Sequence, residues 1–267
     1  MPLQAIEYVR RMRGGAQAHL LRAEDGGYWV VKFQNNPQHI RILANELLGS
    51  RLAARLGLPV PRAEVIRVDD WLITHTPELH IQLGNRRVPC SSGFQFGSRY
   101  PGEPGQAMVY DALTDDRLRD VQNLDAFLDL LVFDKWTCNC DGRQVIYWMN
   151  GRRSGYRLEM IDQGFCFNAG EWSFPDSPLR GLYPRLRVYD AVRGMEAFEP
   201  ILSRVENFSA ADLDRIAAEI PPDWYEGDRD ALDRLLERIY ARRTRVRELL
   251  RAARDSDRQP FPNWKEP

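Results

Sequence analysis

The stretch FLDLLVF, Phe127 to Phe133, is apolar at every position except Asp129, and DKWTCNCDGRQ follows it without a break. Leu124, Phe127, Leu128, Leu131 and Val132 recur at helical spacing, which predicts a buried helix over 123–133. Immediately behind it the chain places Asp134, Asn139 and Asp141. A polar group drawn towards a core costs free energy unless it finds a partner. Any fold for this chain must therefore answer three polar side chains at the end of an apolar helix. Asp141-Gly142 is a turn signal in its own right. Asp134 and Asn139, five positions apart, need another account.

The 267 residues suffice for one large domain or for two smaller lobes with a core between them. Lys+Arg 37 against Asp+Glu 38 leaves a formal net charge of -1, so no global basic field exists and nucleic acid is disfavoured as the principal partner. No window approaches the roughly 20 apolar residues of a membrane span. The first residues, MPLQAIEYVRRMRGG, lack the apolar core of an export signal, which predicts a cytoplasmic protein whose cysteines are free thiols. Cys138-x-Cys140 lacks the usual zinc spacing and all four histidines lie before position 81, so Cys90, Cys138, Cys140 and Cys166 read as small buried thiols.

The first third alternates strands and turns around one helix. AIEYVRRM and AHLLRAED flank the turn RGGAQ, and DGG at Asp25 to Gly27 leads into YWVVKFQ. A helical pattern runs from Ile40 to Leu56, with Leu43, Leu47 and Leu48 on one side, and Gly57 and Pro59 end it. VPRAEVIRVDDWLITH supplies further strand material. CSSGFQFGSRYPGEPGQ is dense in Gly, Pro and Ser and is expected to be a linker between two halves, 1–100 and 101–267. Beyond it, RQVIYWM, the turn NGRRSG and YRLEMID form a β-hairpin. The remainder is mostly helical and ends in one long helix, Arg229 to Arg254, whose Arg-rich face is solvated, and a loosely held tail. The fold class is α+β, β-rich first and mainly helical afterwards.

Several polar residues carry candidate chemistry. Gly14 and Gly15 sit in a turn between strands, where they either close a hairpin or bare N–H groups to an anion. Lys32 lies between Val31 and Phe33 and points either outward or inward to an anion. Glu46 is either a surface residue or that anion. Asp134 and Asn139 either cap a turn, or serve an incoming hydroxyl and a metal. Asp162 ends a buried strand and is followed by Gln163-Gly164, a place suited to a metal-binding carboxylate. Moving a phosphoryl group from a nucleotide needs these parts: amides and a cation for the phosphates, oxygens for a metal, and an acid at the acceptor.

A glycine turn, a strand Lys, a helix Glu, D-x-x-x-x-N and D-x-G, in that order, resemble the protein-kinase-like superfamily. FDKWTCNCDGRQ, MIDQGFCFNAGEW, VVKFQNNPQH and ANELLGSRLAARLGLPVP resemble its HipA-like kinase branch, which is similar to phosphatidylinositol kinases in this region. The likeness spans roughly Ile6 to Ile239. It implies a two-lobed protein-kinase-like fold with ATP and Mg²⁺ in the cleft, transferring phosphate to a hydroxyl, expected to be a protein Ser or Thr. It further implies that Gly14 and Gly15 cradle the phosphates, Lys32 holds them and Glu46 holds Lys32. Asp134 becomes the catalytic acid, and Asn139 and Asp162 the metal ligands. Val132 stands where many kinases have His, Gln163 replaces the aromatic of D-F-G, and the glycine turn holds no Ser or Thr. A small-molecule or lipid acceptor, and a pseudokinase that only binds, remain as alternatives.

Overall fold

β-Branched and aromatic residues alternating with polar ones favour a half-buried pleated surface, and the first third of the chain is written that way. The computed structural model describes residues 2–149 and 155–265. In it β1 (Leu3–Arg11), β2 (His19–Ala23) and β3 (Tyr28–Lys32) form an antiparallel meander with turns where RGGAQ and DGG stand. The helix α1 (Ile42–Arg55) follows, slightly shorter than its apolar pattern. It ends as expected at Gly57, which takes a φ of +79°. The Gly57 N–H bonds the Ala54 carbonyl and the Leu58 N–H bonds that of Ala53, each at 3.0 Å, which satisfies carbonyls the helix end would otherwise orphan.

Two segments differ from their sequence patterns. VPRAEVIRVDDWLITH divides into β4 (Ala63–Val68) and a short helix, α2 (Asp70–Thr74), that buries Leu72 and leaves Trp71 exposed. The two carboxylates at its start suit a helix N-terminus better than a strand. After the small hairpin of β5 (His80–Leu83) and β6 (Arg86–Pro89), the first part of the expected linker proves to be β7 (Gly93–Arg99), while 100–106 stays in bends and turns. This strand sits between β3 and β4 and closes a barrel in the order β1-β2-β3-β7-β4. Its glycine content serves close packing: a Cβ on Gly97 would lie 2.4 Å from Ile66 Cγ1.

In the second half, β8 (Met108–Tyr110), β9 (Gln144–Met149) and β10 (Arg157–Ile161) form an antiparallel sheet with β9 central. The expected hairpin is present, and most of its turn, 150–154, lies outside the described residues. The apolar run becomes α3 (Ala126–Thr137), with ten of twelve residues buried, so it is enclosed on all sides. Of the helices that follow, α4 (Ile201–Glu206) packs against α3, α5 (Ala210–Ala217) packs against α1 and α6 (Arg229–Arg242), and α6 and α7 (Val246–Arg254) pack against α3 again. The last two replace the single long helix, broken by a tight turn at Arg243–Arg245. The tail is docked rather than loose. Phe261 lies 5.6 Å from the Phe198 ring, and the Lys265 N–H bonds the Arg193 carbonyl at 2.8 Å. Among the described residues no helix is long and apolar enough to cross a membrane.

The barrel encloses its own small core around Leu21, Trp29, Val31, Phe33 and Ile66. The larger core joins α3 to the C-terminal helices and also takes in Ile42, Leu43, Leu47, Leu48 and Leu52 of α1.

Two expectations follow. Gly97→Ala forces the Ile66 side chain aside in a packed barrel and should lower stability by about 1–3 kcal/mol in urea unfolding. His19 is buried in the barrel, and burial holds its pKa at about 4, below the ordinary 6.5. Between those values the unfolded chain binds more protons, so this contribution is present above pH 6.5 and lost as pH falls through 4. Between pH 7 and 4 the wild type should lose about 3 kcal/mol more than His19→Leu, read from unfolding curves at each pH.

Candidate active site

β3 ends on Lys32, which is only 9% exposed, and a buried ammonium needs an anion. α1 brings Glu46 to it as an ion pair, and the end of β10 brings Asp162, whose Oδ1 lies 2.7 Å from Lys32 Nζ. Burial works against charge on Lys32, and the two carboxylates overcome it and hold the amine above its ordinary pKa. Burial pushes Glu46 up, whereas Asp162 is held below its usual range by Lys32 against the pull of burial. Two carboxylates around one ammonium give the group a net negative charge, which suits a further cation.

Glu46 does more than pair with Lys32. Its Oε2 accepts the Gln163 N–H and its Oε1 the Gly164 N–H, each at 3.0 Å. A Cβ on Gly164 would come within 2.6 Å of Ile42 Cγ1, so only glycine lets this turn approach α1 so closely. Gln163, in the place of the D-F-G aromatic, is buried and accepts a bond from Arg143.

The polar residues behind the apolar helix take a different arrangement from the one expected. α3 continues through Asp134 to Thr137, because Trp136 is fully buried and extends the apolar surface by another turn. Asp134 is fully buried as well. Arg143 grips both its oxygens, with Nε 2.9 Å from Oδ2, and Asn139 Nδ2 donates to Oδ1 at 3.0 Å. The segment at Gly181 covers it so tightly that a Cβ there would lie 2.3 Å from the Asp134 Cβ. In this arrangement Asp134 faces Arg143 and Asn139 rather than solvent. Asn139 is also buried, and its carbonyl accepts the Asp141 N–H at 3.1 Å, so its amide is used within the loop rather than offered to a metal. The carboxylate the loop exposes is Asp141.

Arg143 went unnoticed in the sequence. It spans from Asp134 to the Ile161 carbonyl at 2.9 Å and Gln163 Oε1 at 2.8 Å, tying the loop behind α3 to the Asp162 turn. The signal was available: a buried Asp demands a cation, and Arg143 is the first arginine after it. Gly14 and Gly15 are exposed in the β1–β2 turn, Gly14 at φ +113°, and Gly15 lies against Gln38 in the segment leading to α1.

The segment 162–172 carries five non-glycine residues in the left-handed region, Asp162, Phe167, Asn168, Ala169 and Trp172. Such conformations cost about 1–2 kcal/mol each for an ordinary residue and less for Asp or Asn. They persist where surrounding contacts over-determine them. Here α1 supplies Asn45 and Glu46, and Arg41 just before it sets its guanidinium 4.2 Å over the Trp172 ring.

The four cysteines are free thiols, and among the described residues no group of three or more His, Cys, Asp or Glu gathers as a metal site. A hard cation such as Mg²⁺ needs only one or two carboxylates when phosphates and water complete its shell, so Asp162 beside surplus negative charge fits it.

Residues 5–153 match the family model described as HipA-like kinase. No curated protein matches the chain. Among solved structures it is similar to the Golgi casein kinase, at 11% identity over 95% of this chain and 74% of that one, with a TM-score of 0.57. A structure of the same kinase with Mn/ADP bound gives 9%, 97%, 74% and 0.50. The Helicobacter pylori proinflammatory kinase CtkA gives 14% identity over 93% of this chain and 99% of that one, at 0.56. At such identities these likenesses speak for the fold alone, an α+β kinase-like fold.

Arg143→Met strands a buried carboxylate and should cost about 3–5 kcal/mol, whereas adding Asp134→Asn removes the stranded charge and should recover part of the loss. Urea unfolding of the wild type, both single variants and the double variant measures this.

Proposed function

The chain belongs to the HipA-like kinase family, and from that premise we propose that it moves the γ-phosphate of ATP, taken with Mg²⁺, to the hydroxyl of a protein Ser or Thr. The observation that carries the reading is the Lys32–Glu46–Asp162 group, where an ammonium suited to phosphate stands 2.7 Å from a carboxylate suited to a metal. In this reading the barrel half, 1–100, and the helical half, 101–267, act as two lobes with the nucleotide between them. The similarity to a casein kinase solved with Mn/ADP supports nucleotide and divalent metal, and favours a protein acceptor over a small molecule or lipid. Four free thiols suit a reducing, cytoplasmic setting.

The roles follow from what each side chain can do. Gly14 and Gly15 offer backbone N–H groups to the phosphates. Lys32 exchanges its Asp162 bond for phosphate oxygens while Glu46 keeps it oriented. Asp162 would hold the cation, which when bound would neutralise charge building on the phosphate oxygens. Asn139 joins Asp162 only by leaving its bonds in the loop, so Asp162 carries the metal. We assign the acceptor's proton to Asp141, the carboxylate with access, rather than to Asp134. Asp134 then acts with Arg143 to hold the loop from which Asp141 projects.

One observation favours a second reading, a module that holds nucleotide without transfer: the amide expected as second metal ligand is buried and already bonded. Thermal unfolding and turnover separate the two. With Mg²⁺ present and ATP at a hundred times its dissociation constant the wild type should gain about 2.7 kcal/mol, and less at the same ATP without Mg²⁺, whereas Asp162→Ala should show no Mg²⁺-dependent gain. Asp141→Asn should bind as the wild type does and lose turnover by about 10²–10⁴-fold. Full turnover in that variant overturns the Asp141 assignment. Binding by a wild type that turns nothing over selects the second reading.

A further inference from the structure

Consecutive residues of α1 grip one turn from both sides. Glu46 takes the Gly164 N–H, and Asn45 Nδ2 lies 2.9 Å from the Gly164 carbonyl. The same nitrogen is 3.1 Å from the Cys166 carbonyl and 2.9 Å from that of Ala169. Asn45 Oδ1 accepts Trp172 Nε1–H at 2.7 Å. Asn45 is fully buried, and its two N–H donors are shared among three carbonyls, so no capacity is left over.

The chemistry selects the residue type. Three converging carbonyls need a donor, so a carboxylate would be repelled, and a hydroxyl is too short to serve them while accepting from Trp172. The other side of the segment is held separately, by the Phe167 N–H on the Thr137 carbonyl at 2.6 Å and the Asn168 N–H on that of Cys138 at 3.2 Å. Without Asn45 the Cys166 and Ala169 carbonyls would lose this donor, and the Gly164 carbonyl would keep only His39 Nε2, at 2.9 Å.

We propose that Asn45 is a positioning residue for the metal site: it clamps 162–172 onto α1 and so fixes where the Asp162 carboxylate points. The proposal rests on the phosphotransfer reading for its metal, but the clamp itself has a readout free of that reading.

The test compares wild type, Asn45→Asp and Asn45→Ala by hydrogen exchange, and by ADP binding with and without Mn²⁺. The expected result is faster exchange confined to 162–172, ADP affinity without metal unchanged, and the Mn²⁺-dependent gain in affinity reduced by about 10–100-fold, as for lost outer partners of metal ligands. Unchanged exchange in a folded variant, or a full Mn²⁺-dependent gain, overturns the clamp. A wild type with no Mn²⁺-dependent ADP binding instead overturns the phosphotransfer reading, and exchange alone then decides the clamp. Should both Asn45 variants fail to fold, Trp172→Phe removes the bond to Oδ1 together with some buried volume and keeps an aromatic ring beside Arg41. It should show the same pattern more weakly, and wild-type behaviour in it overturns the proposal.

Discussion

A carboxylate 2% exposed can stay in a protein interior only if its charge is matched and its lone pairs are filled, and Glu46 meets both conditions at once. Lys32 supplies the charge, and two backbone N–H groups fill the rest. Those partners come from β3 and from the turn after β10, so one side chain on α1 ties together stretches 14 and 117 residues away. If Glu46 were elsewhere, Lys32 would be buried beside Asp162 alone and the Asp162 turn would lose two of its anchors.

The second polar cluster obeys the same rule with a different outcome. Asp134, Asn139 and Arg143 are all buried and consume one another's hydrogen-bonding capacity. They hold a shape. The group around Lys32 has one member, Asp162, with 19% of its side chain exposed and no backbone ladder around it. Two constellations of similar composition are thus separated by accessibility, a property that spacing along a chain does not carry.

That difference explains what could be seen in the sequence. Strand patterns, the extent of α1 and its glycine stop, and the pairing of Lys32 with Glu46 depend on local periodicity or on a buried charge that must be answered, and they were legible. The linker was misread because Gly97 and its neighbours resemble flexible sequence, while their purpose is contact with Ile66 and Trp29. D-x-x-x-x-N is a matter of spacing and does not say what surrounds Asp134. Its true surroundings depend on α3 running on through Trp136 and on Arg143 and Gly181, which converge only in three dimensions. Asn45 was invisible for the same reason: its partners lie 119 to 127 residues ahead.

The helix α1 is flanked in sequence by barrel strands, yet its apolar face belongs to the larger core. That core also takes in Ala63 of β4 and Phe96 of β7, and Arg51 of α1 bonds the Ala63 carbonyl at 2.7 Å, so helix and barrel are joined at more places than Lys32. The frame around the ammonium is therefore fastened at several points, and the amine can trade one partner for another without its frame having to move.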